Sequence, residues 1–446
     1  MKALSEGFNT KLVWTVGGFM ASSGLRFLLN IVLSRLLAPD ILGVMVVVSA
    51  VRLGIDLLTD VGIEQNIIHH PDGDERLFRD TAWTMQVTRG VFLSALFALA
   101  APWLAGSYHI DVRIFLLAAC SPLIGGLHST AVFVLVKHME VRRRNQFELG
   151  SEGLAFVVSV ALAWTLRSVW APAIALVISV AIRTALSYLL PDARQHLRLD
   201  ARIRSRIVHF GKWIMVTSLV MYAATNLDRL YLGRVVPIAL VGIYGIARAI
   251  ADLPTTLARR LSYQIIFPAI VAVRGGGSDV AGHMARSRLI FVLGVCGALG
   301  LGAATADWLI GGLYDPRYAS AGWILGVLLI GAIFAVLSNL NEALLLGVGR
   351  PALSSYANAA RFATLALWMP LGLAWGGFPG AVMAVAVTEI CQYGYIACGL
   401  LGIRQGYWRQ DGMAVAIGLM MLGGVCALRY AAGLGMSLQP IRGLLP

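Results

Sequence analysis

Charge is what this sequence has least of. Only 13% of its 446 residues are Asp, Glu, Lys or Arg, against 58% apolar, and the mean hydropathy is +0.76. Soluble domains carry about 25% charged residues, so an ordinary water-exposed surface is excluded. Acidic residues are the scarcer sign, 23 against 36 basic, which leaves a formal charge of +13. In a soluble chain that excess would point to nucleic acid. Here basic loops and anionic membrane headgroups account for it, and no nucleic-acid partner is expected. Cysteine is sparse too. Cys120, Cys296, Cys391, Cys398 and Cys426 are odd in number and lie in apolar runs, without histidines at zinc-ligand spacing. The expectation is buried apolar thiols, with no disulfide framework and no metal site. No Ser/His/Asp arrangement can be argued, and neither enzymatic chemistry nor a cofactor is expected. Alternation of apolar and polar residues is missing as well, which excludes a transmembrane barrel.

What the chain has is long apolar runs. A crossing of the hydrocarbon core takes about 20 residues. Thirteen stretches qualify: 12–33, 41–68, 84–106, 113–136, 148–166, 169–190, 207–233, 238–270, 287–311, 321–347, 355–375, 378–402 and 412–434. The fold class expected is an all-α polytopic membrane protein with about 12–14 transmembrane helices. Pro254 and Pro268 are expected to kink the long eighth run. Lysine and arginine concentrate on alternate loops, around 76–79, 137–144, 194–212, 274–288 and 404–409. The positive-inside rule then puts the N-terminus in the cytoplasm. The first apolar run carries Arg26 and Asn30 and is expected to be an uncleaved first helix. The segment HLRLDARIRSRIVHF, 196–210, reads either as an amphipathic helix on the headgroups or as a basic loop.

The two halves of the chain begin alike. Arg35 precedes Gly43 by eight residues and Arg234 precedes Gly242 by eight; Arg52 with Asp56 follows the first glycine, Arg248 with Asp252 the second. This predicts a duplicated bundle. The division expected is 1–190 for the first six-helix lobe, 191–206 for a cytoplasmic amphipathic linker, 207–402 for the second lobe and 403–446 for an extra helix and tail.

The arginines within apolar runs are the chemical signal. An arginine at a bilayer centre costs roughly 2.5–3.5 kcal/mol on insertion scales, and tends to persist where an anionic partner or wet cavity receives it. Arg26, Arg52, Arg229, Arg248 and Arg361 are the candidate anion-binding residues, with Asn30 one turn from Arg26. Guanidinium stays charged and grips phosphate oxygens in a fork. Residues four apart share a helix face, so Arg52–Asp56 and Arg248–Asp252 can each pair. Such a pair lowers the insertion cost and can switch, the arginine leaving for a phosphate while the carboxylate takes a cation. Asp56, Asp60, Asp252 and Glu342 are the candidate ion-coupling residues. RGGGSDVAG, 274–282, lacks the ending of a phosphate loop and reads as a connection. His69–His70 and His109 sit at span edges without ligand spacing.

The stretch LSRLLAPDILGVMVVVSAVRLGIDLLTDVGIEQNII, 33–68, resembles the opening of Wzx-type polysaccharide and oligosaccharide-lipid flippases. The turn Pro39-Asp40-Ile41-Leu42-Gly43 fits that pattern except that Leu42 replaces an aromatic, and Asp60-Val61-Gly62 fits a later segment. NLDRLYLGRVVPIALVGIYGIARAIADLP, 226–254, resembles the family's seventh and eighth helices, as do Phe267-Pro268 further on, KHMEVRRRNQF and the LGVGRP turn at 346–351. The resemblance covers most of the chain. It implies the multidrug/oligosaccharidyl-lipid/polysaccharide exporter superfamily, with two six-helix lobes related by a pseudo-two-fold axis around a central cavity. It further implies alternating access in the bacterial inner membrane, a polyprenyl-diphosphate oligosaccharide as substrate, membrane lipids as surroundings and a polysaccharide polymerase as a partner. Arg26, Arg52 and Arg248 are the positions it carries over. Two relatives in the superfamily are the alternatives: cation-coupled drug antiporters, which usually carry a carboxylate in the first helix where 12–33 has none, and lipid II flippases, which have fourteen helices against the thirteen runs here.

Overall fold

The computed structural model describes residues 2–262, 278–402 and 407–434. Phe267-Pro268, most of the glycine-rich stretch and the tail beyond 434 lie outside them. Among the described residues every regular element is helical. In chain order these are α1 (Lys2–Leu36), α2 (Pro39–Leu57), α3 (Ile63–His69), α4 (Arg76–Tyr108), α5 (Val112–Gly126), α6 (Ala131–Lys137), α7 (Val141–Leu166), α8 (Trp170–Ser187), α9 (Ala201–Val235), α10 (Ile238–Leu261), α11 (Ser278–Ala304), α12 (Ala306–Leu313), α13 (Ala321–Gly347), α14 (Pro351–Gly402) and α15 (Trp408–Ala431). Among the described residues nine are long and apolar enough to cross a membrane, or ten if the pair α5–α6, bent by 59°, is one broken span. This is a multi-span membrane protein.

Local chemistry sets the helix ends. Pro39 opens α2, where its missing N–H costs nothing, and Asp40 follows in the first turn, beside the positive end of the helix dipole. Asp200 caps α9 by accepting from the backbone N–H groups of Arg202 and Ile203 at 2.9 and 3.0 Å. The run 41–68 does not form one helix. It breaks between Leu57 and Ile63, where Gly62 takes a left-handed conformation (φ 62°) and the Asp60 carboxylate accepts from its N–H at 3.1 Å. The run 351–402 is likewise two helical arms, broken at Gly376 and Gly377. Pro254 sits inside α10, which continues past it to Leu261. Of the basic segment 196–210 only the part from Ala201 is helical, and it runs on into the apolar part of α9 as one 35-residue helix.

By compactness the chain forms two units, Met1–Tyr222 with Leu232–Gly242, and Ala223–Tyr231 with Ile243–Pro446. In the first, α4 packs on α5, where Gly90 faces the Pro122 carbonyl and Gly126 faces that of Gln86 at backbone distance. Gly43 and Gly242 belong to the same unit. A Cβ on Gly43 would run into the Ile238 carbonyl, and one on Gly242 into the Pro39 carbonyl. The two glycines that the internal repeat equates thus meet each other backbone to backbone. In the second unit α13 is the central helix, burying Ile324, Leu325, Ile333, Val336, Leu337 and Leu340. It packs on α14, and α15 packs on α11 across a close approach of Gly300 to the Gly418 carbonyl. All five cysteines are free, but only Cys296 is buried; Cys120, Cys391 and Cys398 are exposed, correcting the expectation of buried thiols. Apolar helix surface facing lipid, like Leu99 and Trp375, needs no protein cover.

Candidate functional site

In the first unit Arg26 and Arg52 each meet a carboxylate. Arg26 of α1 forms an ion pair with Glu152 of α7, while the Asn30 amide donates back to the Arg26 carbonyl at 3.2 Å. Arg52 donates to Asp56 at 2.9 Å, the i,i+4 pair expected from the spacing, and both side chains are half-buried. Arg89 of α4 joins them, donating to the Asp56 carbonyl and, at 3.1 Å, to the Thr59 hydroxyl. Helix α2 ends at Leu57, so the Asp56 carbonyl is one of its orphaned acceptors, and a cation there also faces the negative end of the dipole. Asp60 is occupied by the Gly62 turn.

The second unit gathers the rest. Asp228 of α9 is buried, accepting from the Tyr244 hydroxyl at 2.5 Å and from the Arg229 backbone N–H at 2.8 Å. Arg248 of α10 lies among three carboxylates: its Nε is 3.2 Å from Asp252 and 3.6 Å from Asp228, and its Nη2 is 4.0 Å from Glu389. Arg229 reaches across to Asp252 at 3.0 Å and to the Asn226 carboxamide oxygen at 3.1 Å. Arg361, on the first arm of α14, donates to Glu389 on the second at 2.5 Å. Three of the six proposed anion-binding residues, Arg229, Arg248 and Arg361, therefore share one cluster with three carboxylates.

Two features of this cluster matter chemically. Its formal charges cancel, so its arginines are held by acids and are not a bare cationic lining. Its hydrogen bonding is incomplete, because Arg248 Nε, Arg361 Nε and Glu389 Oε2 are buried without an aligned partner. Charge attraction without saturated hydrogen bonds is an arrangement that can exchange partners, since a buried pair gains little net stability from Coulomb energy alone. Glu342 stands apart on α13. It accepts from Ser354 and, at 3.2 Å, from Asn358, both neutral donors.

The i,i+4 pairs were visible in the sequence, as were Asp228 and Glu389 as acids within apolar runs that should meet arginines; which arginines they meet was not, nor were Glu152 and Arg89 as counter-groups, because the partners come from different helices. Two buried networks also escaped it. Arg288 donates to Asp411 at 2.6 Å, Asn341 at 3.0 Å and Gln410 at 3.0 Å, and Asn341 and Tyr393 complete the Asp411 carboxylate. Arg429 forms a two-pronged pair with Asp307 at 2.7 and 2.5 Å and lies over the Trp308 ring. Arg288 stands at the edge of the run 287–311, among the basic residues of the preceding loop, yet it is 4% exposed. The only sequence signal is unlike charge at the ends of two spans.

Fold and site together define a helical, multi-span membrane protein whose two units each hold arginines paired with carboxylates. The fold agrees closely with the lipid II flippase MurJ in an inward closed conformation (TM-score 0.72, 9% identity, covering 95% of this chain and 100% of that one). It also agrees with an inward-facing multidrug resistance MATE family transporter of the MOP superfamily (TM-score 0.65, 14% identity, 90% and 98%). At these identities the likeness shows the fold alone. A family model described as polysaccharide biosynthesis protein matches residues 32–321. The chain belongs to the polysaccharide biosynthesis protein family. It is 24% identical to the teichuronic acid biosynthesis protein TuaB of Bacillus subtilis (strain 168), over 67% of this chain and 63% of that protein. It is 22% identical to the lipopolysaccharide biosynthesis protein WzxC of Escherichia coli (strain K12), over 83% and 75%. The match thus spans just under two thirds of TuaB.

Proposed function

We propose that the protein is a flippase that moves a polyprenyl-diphosphate-linked oligosaccharide from the cytoplasmic to the outer leaflet of a bacterial inner membrane. Its N-terminus is cytoplasmic, the two lobes alternate access with residues 191–206 as their link, and the product feeds polysaccharide assembly. The observation that carries this reading is the exchangeable pairing of Arg52, Arg229, Arg248 and Arg361 with carboxylates at membrane depth. The family and the names of its relatives support it.

The diphosphate competes with the carboxylates for the guanidinium forks. Each arginine that turns to phosphate releases an acid, and that acid takes up a proton or a metal cation to stay in a low-dielectric site. Substrate binding and cation uptake are thereby linked through Asp56, Asp252 and Glu389, with Glu342 and Asp60 as further acceptors. A membrane potential negative inside favours outward movement of the anion by about 2.3 kcal/mol per charge per 100 mV. Arg26 with Asn30 supplies a further cation on the first helix.

The test is translocation of a fluorescent polyprenyl-diphosphate oligosaccharide in proteoliposomes, wild type beside Arg52→Ala. Arg52 is half-buried, so its loss leaves the fold intact and transport falls by at least tenfold. Full activity in Arg52→Ala would remove its binding role. Failure of folded wild type on several sugar headgroups, with drug efflux instead, would make the protein an antiporter.

A further inference from the structure

The first unit carries a second polar site, away from the spans' arginine–carboxylate pairs. It is a cavity of about 410 Å³ where α3 ends beside the first turns of α9, lined by Asn66, His69, His70, Ser205, Arg206, His209 and Phe210. Its walls are well anchored. Ile63, Ile67, Phe78, Ala82 and Ile207 form a buried apolar cluster beneath it, and Gly211 of α9 lies against the Val61 backbone. Lys137 ties down the loop after α3, donating to the carbonyls of His70 and Pro71 and to Asp74 at 2.9, 2.7 and 2.6 Å. The His70 ring stacks on Phe78 and the His69 ring lies against Phe210.

No carboxylate lines this cavity, and the donors around His70 compete for one lone pair. The Asp72 backbone N–H points at His70 Nδ1 at 3.2 Å, which requires a lone pair there. The Asp72 carboxylate, 3.7 Å away, is too far to compete as a hydrogen-bond acceptor. The other nitrogen, Nε2, sits 3.3 Å from Arg206 Nη1, and guanidinium is a donor only. A neutral imidazole has one lone-pair nitrogen, so it can accept from the Asp72 N–H or from Arg206 but not from both, and either tautomer sets one N–H against another. Among the described residues Arg206 forms no ion pair with a carboxylate, unlike Arg26, Arg52, Arg229, Arg248 and Arg361. The Asp72 carboxylate, beside His70, is more than half exposed and lies at the Nδ1 edge of the ring, away from Arg206. What this geometry lacks is an anion with several acceptor oxygens.

We propose that this cavity binds a phosphate group, presented by the headgroup of an anionic membrane lipid. Arg202, Arg204, Arg206 and Lys212 crowd the first turns of α9, directly before its apolar span, which places the cavity at headgroup depth. Arg206 and the His70 and His209 imidazoles supply donors to the phosphate oxygens, and Phe210 with His69 gives an apolar wall toward the acyl chains.

The experiment is equilibrium binding and thermal unfolding of the full-length protein in detergent, with no transport step, so that its outcome stands apart from the flippase reading. The probes are short-chain phosphatidylglycerol, short-chain phosphatidylcholine and inorganic phosphate. Saturable binding of phosphatidylglycerol that weakens at least tenfold in Arg206→Gln, and less in His209→Asn, supports the site. Arg204→Gln, an exposed change outside the cavity, leaves binding unchanged. Equal affinity for inorganic phosphate with the same dependence on Arg206 supports the phosphate chemistry and overturns the lipid as its source. Binding insensitive to Arg206→Gln, equally weakened by Arg204→Gln, or absent for all three probes overturns the site. Arg206 is exposed, so gel filtration and an unchanged Tm without ligand confirm that each variant is folded.

Discussion

Truncating Arg248 to alanine removes the one cation that faces Asp228, Asp252 and Glu389 together. Asp228 and Glu389 are almost fully buried, at 1% and 5% exposure, so water cannot replace the guanidinium. Stripping one partner from a buried ion pair costs about 3–5 kcal/mol, because an uncompensated charge stays behind. For a unit of this size that corresponds to a Tm lower by on the order of 10 °C. The excess charge is one negative unit, and Asp228→Asn cancels it while keeping the side-chain shape and an oxygen for the Tyr244 hydroxyl. The double variant Arg248→Ala/Asp228→Asn then regains most of the lost stability, since the Arg229–Asp252 and Arg361–Glu389 pairs remain. Transport does not return, because the fork that would meet the diphosphate is still missing. Thermal unfolding in detergent and flipping in proteoliposomes, read side by side, separate the two roles. Wild-type stability in Arg248→Ala would refute the electrostatic argument. Restored flipping in the double variant would show that Arg248 only holds the fold.

Other consequences follow from the same structure. Asp411→Ala leaves Arg288 buried without its carboxylate and lowers stability by about 3–5 kcal/mol, whereas Arg288→Met/Asp411→Leu recovers most of it; thermal melts decide, and equal losses in both would refute the account. Gly43→Ala pushes a methyl group into the Ile238 carbonyl, which as backbone cannot rotate away, at a cost of about 1–3 kcal/mol; an unchanged Tm would show that α2 and α10 part freely there. The hydrogen bond from Lys137 holds the Asp74 carboxyl down at about 2. A depressed carboxylate stabilises the loop above its unfolded value, near 3.9, and that contribution is lost as pH falls from there through about 2. Solvent screening keeps it under about 1 kcal/mol, and hydrogen exchange of residues 70–75 should lose this pH step in Lys137→Met.

Much of the molecule was written in composition and periodicity. Helical class, the span positions and the Arg52–Asp56 and Arg248–Asp252 pairs follow from hydropathy and from four-residue spacing, which are local properties. The same is true of the break at Gly376–Gly377, which two adjacent runs announced. The repeat of Arg, Gly and Arg–Asp identified Gly43 and Gly242 as equivalents, but that they touch is a tertiary fact. Tertiary structure alone decided which acid each arginine meets. Glu152 lies 126 residues from Arg26, Glu389 lies 28 from Arg361 on the far arm of a broken helix, and Asp411 lies 123 from Arg288. A charge in a low-dielectric interior must be compensated, so the sequence could require that partners exist. Which helix supplies them depends on how the bundle packs, and no periodicity records that.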